Sequence, residues 1–262
     1  MKKKIKMLLM VLVSLSVFFV TGSVSFAYDG DFNELPRLTD GTEYDNIEND
    51  KKGYFSDARE ATEEDIIESL SQPKKNELEF EEVKKIPTKS GWYFLNDIGT
   101  SFTYYGQEHN YTCGPACVKM ALKYLTGITY SELTIENACN TSPQTGTLLS
   151  NMKTYINSEQ NINTYYSQYL ADSTTMRNNL FSGIVTYDAP PIIGVKELGT
   201  WGFPYELEKH FVLVYGVKDD KSEMAIADPW AGLQNEYNHS TYSIIAGNLH
   251  LAYSQNNLGY MY

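Results

Sequence analysis

Phe211-Val212-Leu213-Val214-Tyr215-Gly216-Val217, Lys218-Asp219-Asp220-Lys221-Ser222, Met224-Ala225-Ile226-Ala227: two apolar runs flank a cluster of turn-forming residues, and the whole reads as an antiparallel hairpin. Pro191-Ile192-Ile193-Gly194-Val195 reads as a further strand. Upstream of these strands the apolar period is helical. Gly114 to Leu125 predicts a helix with Pro115 in its first turn, where a missing N–H costs nothing, and with Gly127 as its stop. Val118, Ala121, Leu122 and Leu125 form its apolar face, and Lys119 and Lys123 another. Further helices are expected from about Ser131, from about Thr147 and from about Ser173, the last with Met176 and Leu180 inward and Gly183 as its stop. Helices first and strands afterwards predict an α+β domain. No internal repeat is visible.

Polar residues stand at the edges of this pattern. His210 and Asp228 bracket the hairpin. A turn centred on Asp219 would set them opposite each other, close enough for the carboxylate to fix the histidine tautomer. A histidine that merely hydrogen-bonds at a strand end reads equally well. Cys113 precedes the Gly-Pro start of the strongest helix. The positive end of a helix dipole and its unpaired N–H groups favour a thiolate over a thiol, and the same donors can hold an oxyanion. The plain alternative is a small residue at a helix start. Gln107 lies six residues before Cys113, where a side-chain amide can donate to the same oxyanion. Taken alone it is an ordinary loop glutamine.

The string Gln107-Glu108-His109-Asn110-Tyr111-Thr112-Cys113-Gly114-Pro115-Ala116-Cys117 resembles the nucleophile region of the double-glycine leader peptidases and their stand-alone relatives, peptidase family C thirty-nine of the papain-like group. His210 to Val217, followed by Ala227-Asp228-Pro229, resembles that family's histidine and aspartate motifs. Gly146-Thr147 and Pro190-Pro191-Ile192-Ile193 also fall where relatives have similar elements. The resemblance spans roughly residues 100 to 230. It implies a papain-like cysteine peptidase fold, in which a helical half carrying the nucleophile packs on an antiparallel sheet carrying His and Asp. It implies Cys113 as nucleophile, His210 as general base and acid, Asp228 as its orienter and Gln107 in the oxyanion hole. No cofactor is implied, and the partner is a peptide or protein substrate. The family's transporter-borne members trim leaders after Gly-Gly on the cytoplasmic side. This sequence carries no transporter segment or nucleotide-binding motif, so the resemblance points to the exported relatives.

Residues 1–27 read as a secretory signal peptide: Lys2, Lys3, Lys4 and Lys6, an apolar run from Met7 to Val20, and small residues before a cut after Ala27. A retained anchor is the alternative. The run is short for a bilayer core of ~30 Å, and no other segment is apolar enough to span one. Removing these residues takes the net charge from −12 to −16. Such an acidic product argues against nucleic acid or an anionic membrane as partner. Residues 28–90 hold 18 of the 33 acidic residues and few apolar ones, and read as a mostly disordered tether or pro-segment. Within them one amphipathic helix is expected from Thr62, with Asp65 three on and Ile66, Ile67 and Leu70 on one face. Residues 91–262 form the expected peptidase domain, and a pro-segment would silence it.

Three cysteines are too few for a disulfide scaffold and leave one unpaired. Cys117 is read as packing, with Cys139 as a candidate disulfide partner. Zinc ligation is disfavoured, because no tight Cys or His pair is present. His109, His239 and His250 are read as surface residues, and Trp201-Gly202-Phe203-Pro204 as core packing rather than a cleft wall. Asn110-Tyr111-Thr112 is a formal glycosylation sequon that a working site would leave unmodified. Two rival functions share these residues: a transglutaminase-like acyltransferase and an inactive surface binding module.

Overall fold

The computed structural model describes residues 39–40, 58–72, 87–88, 90–95, 102–196, 198–234 and 239–262. The expected signal peptide lies outside the described residues, as does most of 28–90. In chain order the elements are β1 (Thr39–Asp40), β2 (Ala58–Arg59), α1 (Glu63–Ser71), β3 (Trp92–Phe94), β4 (Thr103–Tyr104), α2 (Cys113–Thr126) and α3 (Glu132–Ala138). There follow β5 (Thr147–Leu148), α4 (Leu149–Glu159), β6 (Ser167–Gln168), α5 (Ser173–Val185), β7 (Ile192–Lys196), β8 (Lys209–Lys218) and β9 (Glu223–Ala227). The chain closes with the single turn α6 (Ala231–Gln234), β10 (Thr241–Ile245), α7 (Ala246–Ser254) and β11 (Tyr260–Met261).

Local chemistry sets the helix ends. Gly127 ends α2 in the left-handed region at φ 71°, its N–H donating to Lys123. Ser131 and Asp172 cap α3 and α5 by accepting the N–H of Thr134 and Thr175. The helix expected from Thr62 is α1, closed by a reciprocal bond set between Thr62 and Asp65. Of its apolar face, Ile66 packs against the core, but Ile67 and Leu70 are exposed. The helix expected from Thr147 begins two residues later, because Thr147 and Leu148 are taken up in pairing with β2. Nor does Gly183 stop α5, which runs on to Val185. A Cβ at Gly183 would sit 2.5 Å from the Pro191 ring, so the glycine serves close packing.

The main sheet is antiparallel, in the order β10-β9-β8-β7-β11-β6, with β3 pairing β8 beyond the end of β7. Central strand β8 is buried over its whole length except its two terminal lysines, which accounts for its unbroken apolar run. Helices α2 and α5 pack against β8, and α7 packs against β7. Three helices thus cover a sheet whose long hairpin is the one read from sequence. The domain is α+β, with the cysteine-bearing helix packed on the strand that carries His210. All three cysteines are buried and unpaired, so the disulfide considered between Cys117 and Cys139 is absent.

Candidate active site

Helix α2 brings Cys113 against the sheet at its first residue. Every residue from Cys113 to Val118 is buried, a wider face than the 118–125 stripe predicted. Gly114 lets the start of α2 pack closely on β5 and α4: a Cβ there would lie 2.8 Å from Thr147 Cβ and from Met152 Sδ. Thr112, at the N-cap, gives α2 no side-chain cap. Its hydroxyl is committed to the preceding turn, donating to the His109 carbonyl at 3.0 Å and accepting the His109 N–H at 3.0 Å. The first N–H groups of α2 are therefore left without a side-chain acceptor.

His210 and Asp228 meet, but not in the register expected. The turn is centred between Asp220 and Lys221 rather than on Asp219, because Val217 pairs with Met224. Carried on unbroken, that register would pair Asp228 with Leu213 and put its side chain on the face opposite His210. Tyr215 is the extra residue of a β-bulge, after which Val214 pairs with Ile226 and Leu213 with Ala227. The shift returns Asp228 to the His210 face as a diagonal neighbour. His210 Nε2 lies 2.7 Å from Asp228 Oδ1, with both side chains fully buried.

Asp228 is held on every side. Oδ1 also accepts the Trp230 N–H at 3.0 Å, and Oδ2 accepts the Tyr242 hydroxyl at 2.7 Å. The Trp230 ring stands edge-on to the His210 ring, with centroids 6.2 Å apart. Phe203, from the segment read as core packing, is buried edge-on against Tyr242. With Nε2 engaged, Nδ1 is the ring nitrogen that remains. It makes no hydrogen bond, and the Cys113 thiol is near enough to act on the ring electrostatically. Burial alone would push the His210 pKa down; the charge and hydrogen bond of Asp228, with the Cys113 thiol, override it and raise the value to about 9. Cys117 lies behind, its thiol donating to the Phe211 carbonyl at 3.4 Å and its pKa pushed well up by burial. Burial raises Cys139 to about 12. Neither resembles a reactive thiol.

Gln107 is buried beside the same turn. Its backbone N–H donates to the Pro229 carbonyl at 2.9 Å, and its Nε2 donates to the His109 carbonyl at 2.7 Å. Gly106 and Gly232 let the two segments touch, since a Cβ on Gly106 would lie 2.6 Å from Gly232 Cα. The Tyr104 hydroxyl adds a bond to the Asp228 carbonyl at 2.9 Å. Loop 104–112 is thereby fastened to the Asp228 turn at one end and leads into Cys113 at the other.

Several supporting residues escaped the sequence reading. Trp230 adjoins the Asp-Pro pair and was legible in principle. Tyr242 and Tyr104 carry no motif. Glu132 is buried behind Thr112, where its Oε1 accepts the Glu108 N–H at 2.8 Å. Burial raises its pKa to about 8, against hydrogen bonds from Thr112 and Glu108 that pull it down. Of the three histidines read as surface residues, His109 is exposed and stacked on Tyr111, whereas His239 and His250 are half-buried. Among the described residues no three His, Cys, Asp or Glu side chains cluster so as to hold a metal ion.

A family model described as the Peptidase_C39 like family matches residues 100–256, which holds all four of these residues. The chain belongs to that family. By this membership the peptidase is placed among cysteine peptidases. Solved structures similar to it include the peptidase domain of Streptococcus ComA, a bifunctional ABC transporter involved in a quorum-sensing pathway (16% identity, 62% of this chain and 96% of that one, TM-score 0.40). A second is a double-glycine-motif protease from an AMS/PCAT transporter in complex with its leader peptide (16% identity, 60% and 85%, TM-score 0.38). A third is xylellain, a cysteine protease from Xylella fastidiosa (11% identity, 80% and 95%, TM-score 0.48). No curated protein matches the sequence. Family membership, not these distant likenesses, carries the assignment. Among the described residues, no helix of the peptidase is long and apolar enough to cross a membrane.

Proposed function

We propose that the chain is an exported peptidase that hydrolyses peptide bonds by a Cys113–His210–Asp228 relay, acting outside the cell or at its surface. The observation that carries this reading is the buried His210–Asp228 contact of 2.7 Å on a ring whose other nitrogen is unpartnered, with Cys113 near enough at a helix start to act on the ring's charge. The Cys113 thiolate attacks the carbonyl carbon and its proton resides on His210. The oxyanion is held by the uncapped N–H groups of α2 and by Gln107. Gln107 Nε2 has a second hydrogen to give beyond its bond to His109. His210 then protonates the leaving amine, and water attacks the acyl-enzyme with His210 as base. Asp228 holds the ring and stabilises the imidazolium. Export rests on the composition of residues 1–27, and it separates this chain from cytoplasmic leader trimming.

The test is alkylation of the secreted protein by an iodoacetamide probe, followed by peptide-library cleavage read by mass spectrometry. In protein freed of residues 28–90, labelling at Cys113 that is lost in Cys113→Ser and slowed in a folded His210→Ala, together with hydrolysed peptides, is expected. Full cleavage by His210→Ala would sink the relay. Products joined to amines instead of water would assign acyl transfer, and no products from an accessible thiol would assign a binding module.

A further inference from the structure

Neither Cys113 nor His210 has any exposed surface in the intact chain. A nucleophile must come within about 3–3.5 Å of the carbonyl it attacks, so a peptide cannot reach this one until something moves. A segment packed beside the site comes from upstream. Ala58 pairs in parallel with Thr147, and Arg59 with Leu148. Thr147 is the residue packed on Gly114, next to Cys113. On the other side β2 lies against β8, and the Glu60 carboxylate is 3.2 Å from Nζ of Lys209, the residue before His210. Residues 58–60 thus bridge the helix that carries Cys113 and the strand that carries His210. Ala58 and Ala61 are buried in the core cluster, while Arg59 is exposed.

Polar contacts latch this strap. The Ala61 N–H donates to the Asn257 carbonyl at 2.8 Å. Asp65 of α1 accepts the Ser150 hydroxyl at 2.9 Å, and Glu68 lies 3.4 Å from Lys153. Ile67 and Leu70 remain 59% and 71% exposed, so α1 gains little from apolar burial. Contacts of that kind are individually weak, and segments held by them open locally far below the cost of global unfolding.

Resting on the peptidase reading above, we propose that the groove between β5 and the start of β8 is a peptide-binding cleft. It takes an extended substrate strand hydrogen-bonded to Thr147–Leu148, with small side chains inward and an acidic side chain at Lys209, and residues 58–61 fill it as a built-in pseudosubstrate. Pairing through the main chain gives affinity without sequence, and the inward positions and Lys209 give selectivity. The chain as it stands is latent; release or cleavage of the strap activates it.

The test uses the full chain. Ala58→Arg with Ala61→Arg puts long charged side chains where only methyl groups fit. Asp65→Ala with Glu68→Ala removes the latch and the cap of α1 at a half-buried and an exposed position outside the core cluster. Cys113 alkylation is measured with thermal melting as the folding control. Both variants should alkylate about 10-fold faster or more, because apparent reactivity scales with the open fraction. A synthetic peptide of residues 56–64 should slow them again, and a Glu60→Lys version of it should not. In peptide libraries the released protein should favour acidic over basic side chains at the Lys209 position, and Lys209→Glu should invert that preference. An intact chain that alkylates and cleaves as fast as the folded variants overturns the strap while leaving the peptidase reading standing. Faster alkylation with no cleavage of any peptide keeps the strap and removes the peptidase reading.

Discussion

His210 and Asp228 meet on a diagonal, not face to face, because Tyr215 is one residue too many for the β8–β9 ladder. The side-chain period of a strand is two, so a bulge-free ladder carried on from the observed turn would have sent these two groups to opposite faces. The bulge is thus the backbone feature on which the dyad depends. It also leaves Asp228 just past the last pair of the β8–β9 ladder, where its carboxylate can take bonds from Trp230 and Tyr242 as well.

Tyr242 orients Asp228 without touching His210. Tyr242→Phe removes one hydrogen bond to a buried carboxylate, worth about 1.5–3 kcal/mol. We expect kcat to fall about 10-fold or more while KM holds, with a lower melting temperature. Unchanged kcat would mean that Trp230 alone orients the carboxylate.

In the proposed mechanism Gln107 acts on an oxyanion, and thiol alkylation by iodoacetamide passes through none. Gln107→Ala should therefore cut peptide hydrolysis by about 100-fold while leaving Cys113 alkylation nearly unchanged. Gly232→Ala should give the same split at smaller size, since its Cβ would meet Gly106 Cα at 2.7 Å and the Gln107 nitrogen at 3.3 Å. Both contacts are backbone, so the loop must shift. Equal losses in both assays would instead mark a general collapse of the site.

The fold raises the His210 pKa from 6.5 to about 9, so it favours the protonated ring. The stabilisation is complete below about pH 6.5 and is lost as pH rises through about 9. In the proposed mechanism the same loss removes the acid that protonates the leaving amine. In the strap-released protein, kcat/KM should fall on the alkaline side with an apparent pKa near 9, set by His210. A rate still climbing well above that pH would mean that a neutral imidazole is the working form.

The α+β order, the hairpin, α2 with its glycine stop and the four candidate site residues were legible because each has a local signature: period, turn chemistry, caps or motif spacing. The bulge was not, since Tyr215 in Val214-Tyr215-Gly216 suits a regular strand equally well; the expected pairing had the correct face only because the assumed centre was displaced by an odd number of half-steps. Strands β10 and β11 and helix α7 were missed. Thr241–Ile245 is too short to show alternation, and α7 is apolar around most of its circumference because α5, β7 and β10 all pack on it. The docking of residues 58–61 was invisible for a different reason. Two alanines bury there by virtue of being small, and composition counts them as nothing.

Glu132 gives the last prediction. Its buried carboxyl accepts the Glu108 N–H, flanking the loop that runs from Gln107 to Cys113. Burial raises its pKa from 4.5 to about 8, so the folded protein binds this proton more tightly than the unfolded chain. Stability should therefore decline as pH rises from about 4.5 to about 8, the window in which the unfolded chain has lost the proton and the folded one still holds it. Below that window the carboxyl is neutral in both states, and above it the penalty is complete. Glu132→Gln keeps the shape and an acceptor for the Glu108 N–H but cannot ionise. Its melting temperature should vary less with pH across this window than that of the parent, most visibly between about pH 5 and 6.5, where His210 does not yet contribute. Glu132→Ala should strand the Glu108 N–H, lower the melting temperature at every pH and slow hydrolysis. A parent and Glu132→Gln protein with identical stability profiles over that range would show that the carboxyl ionises normally.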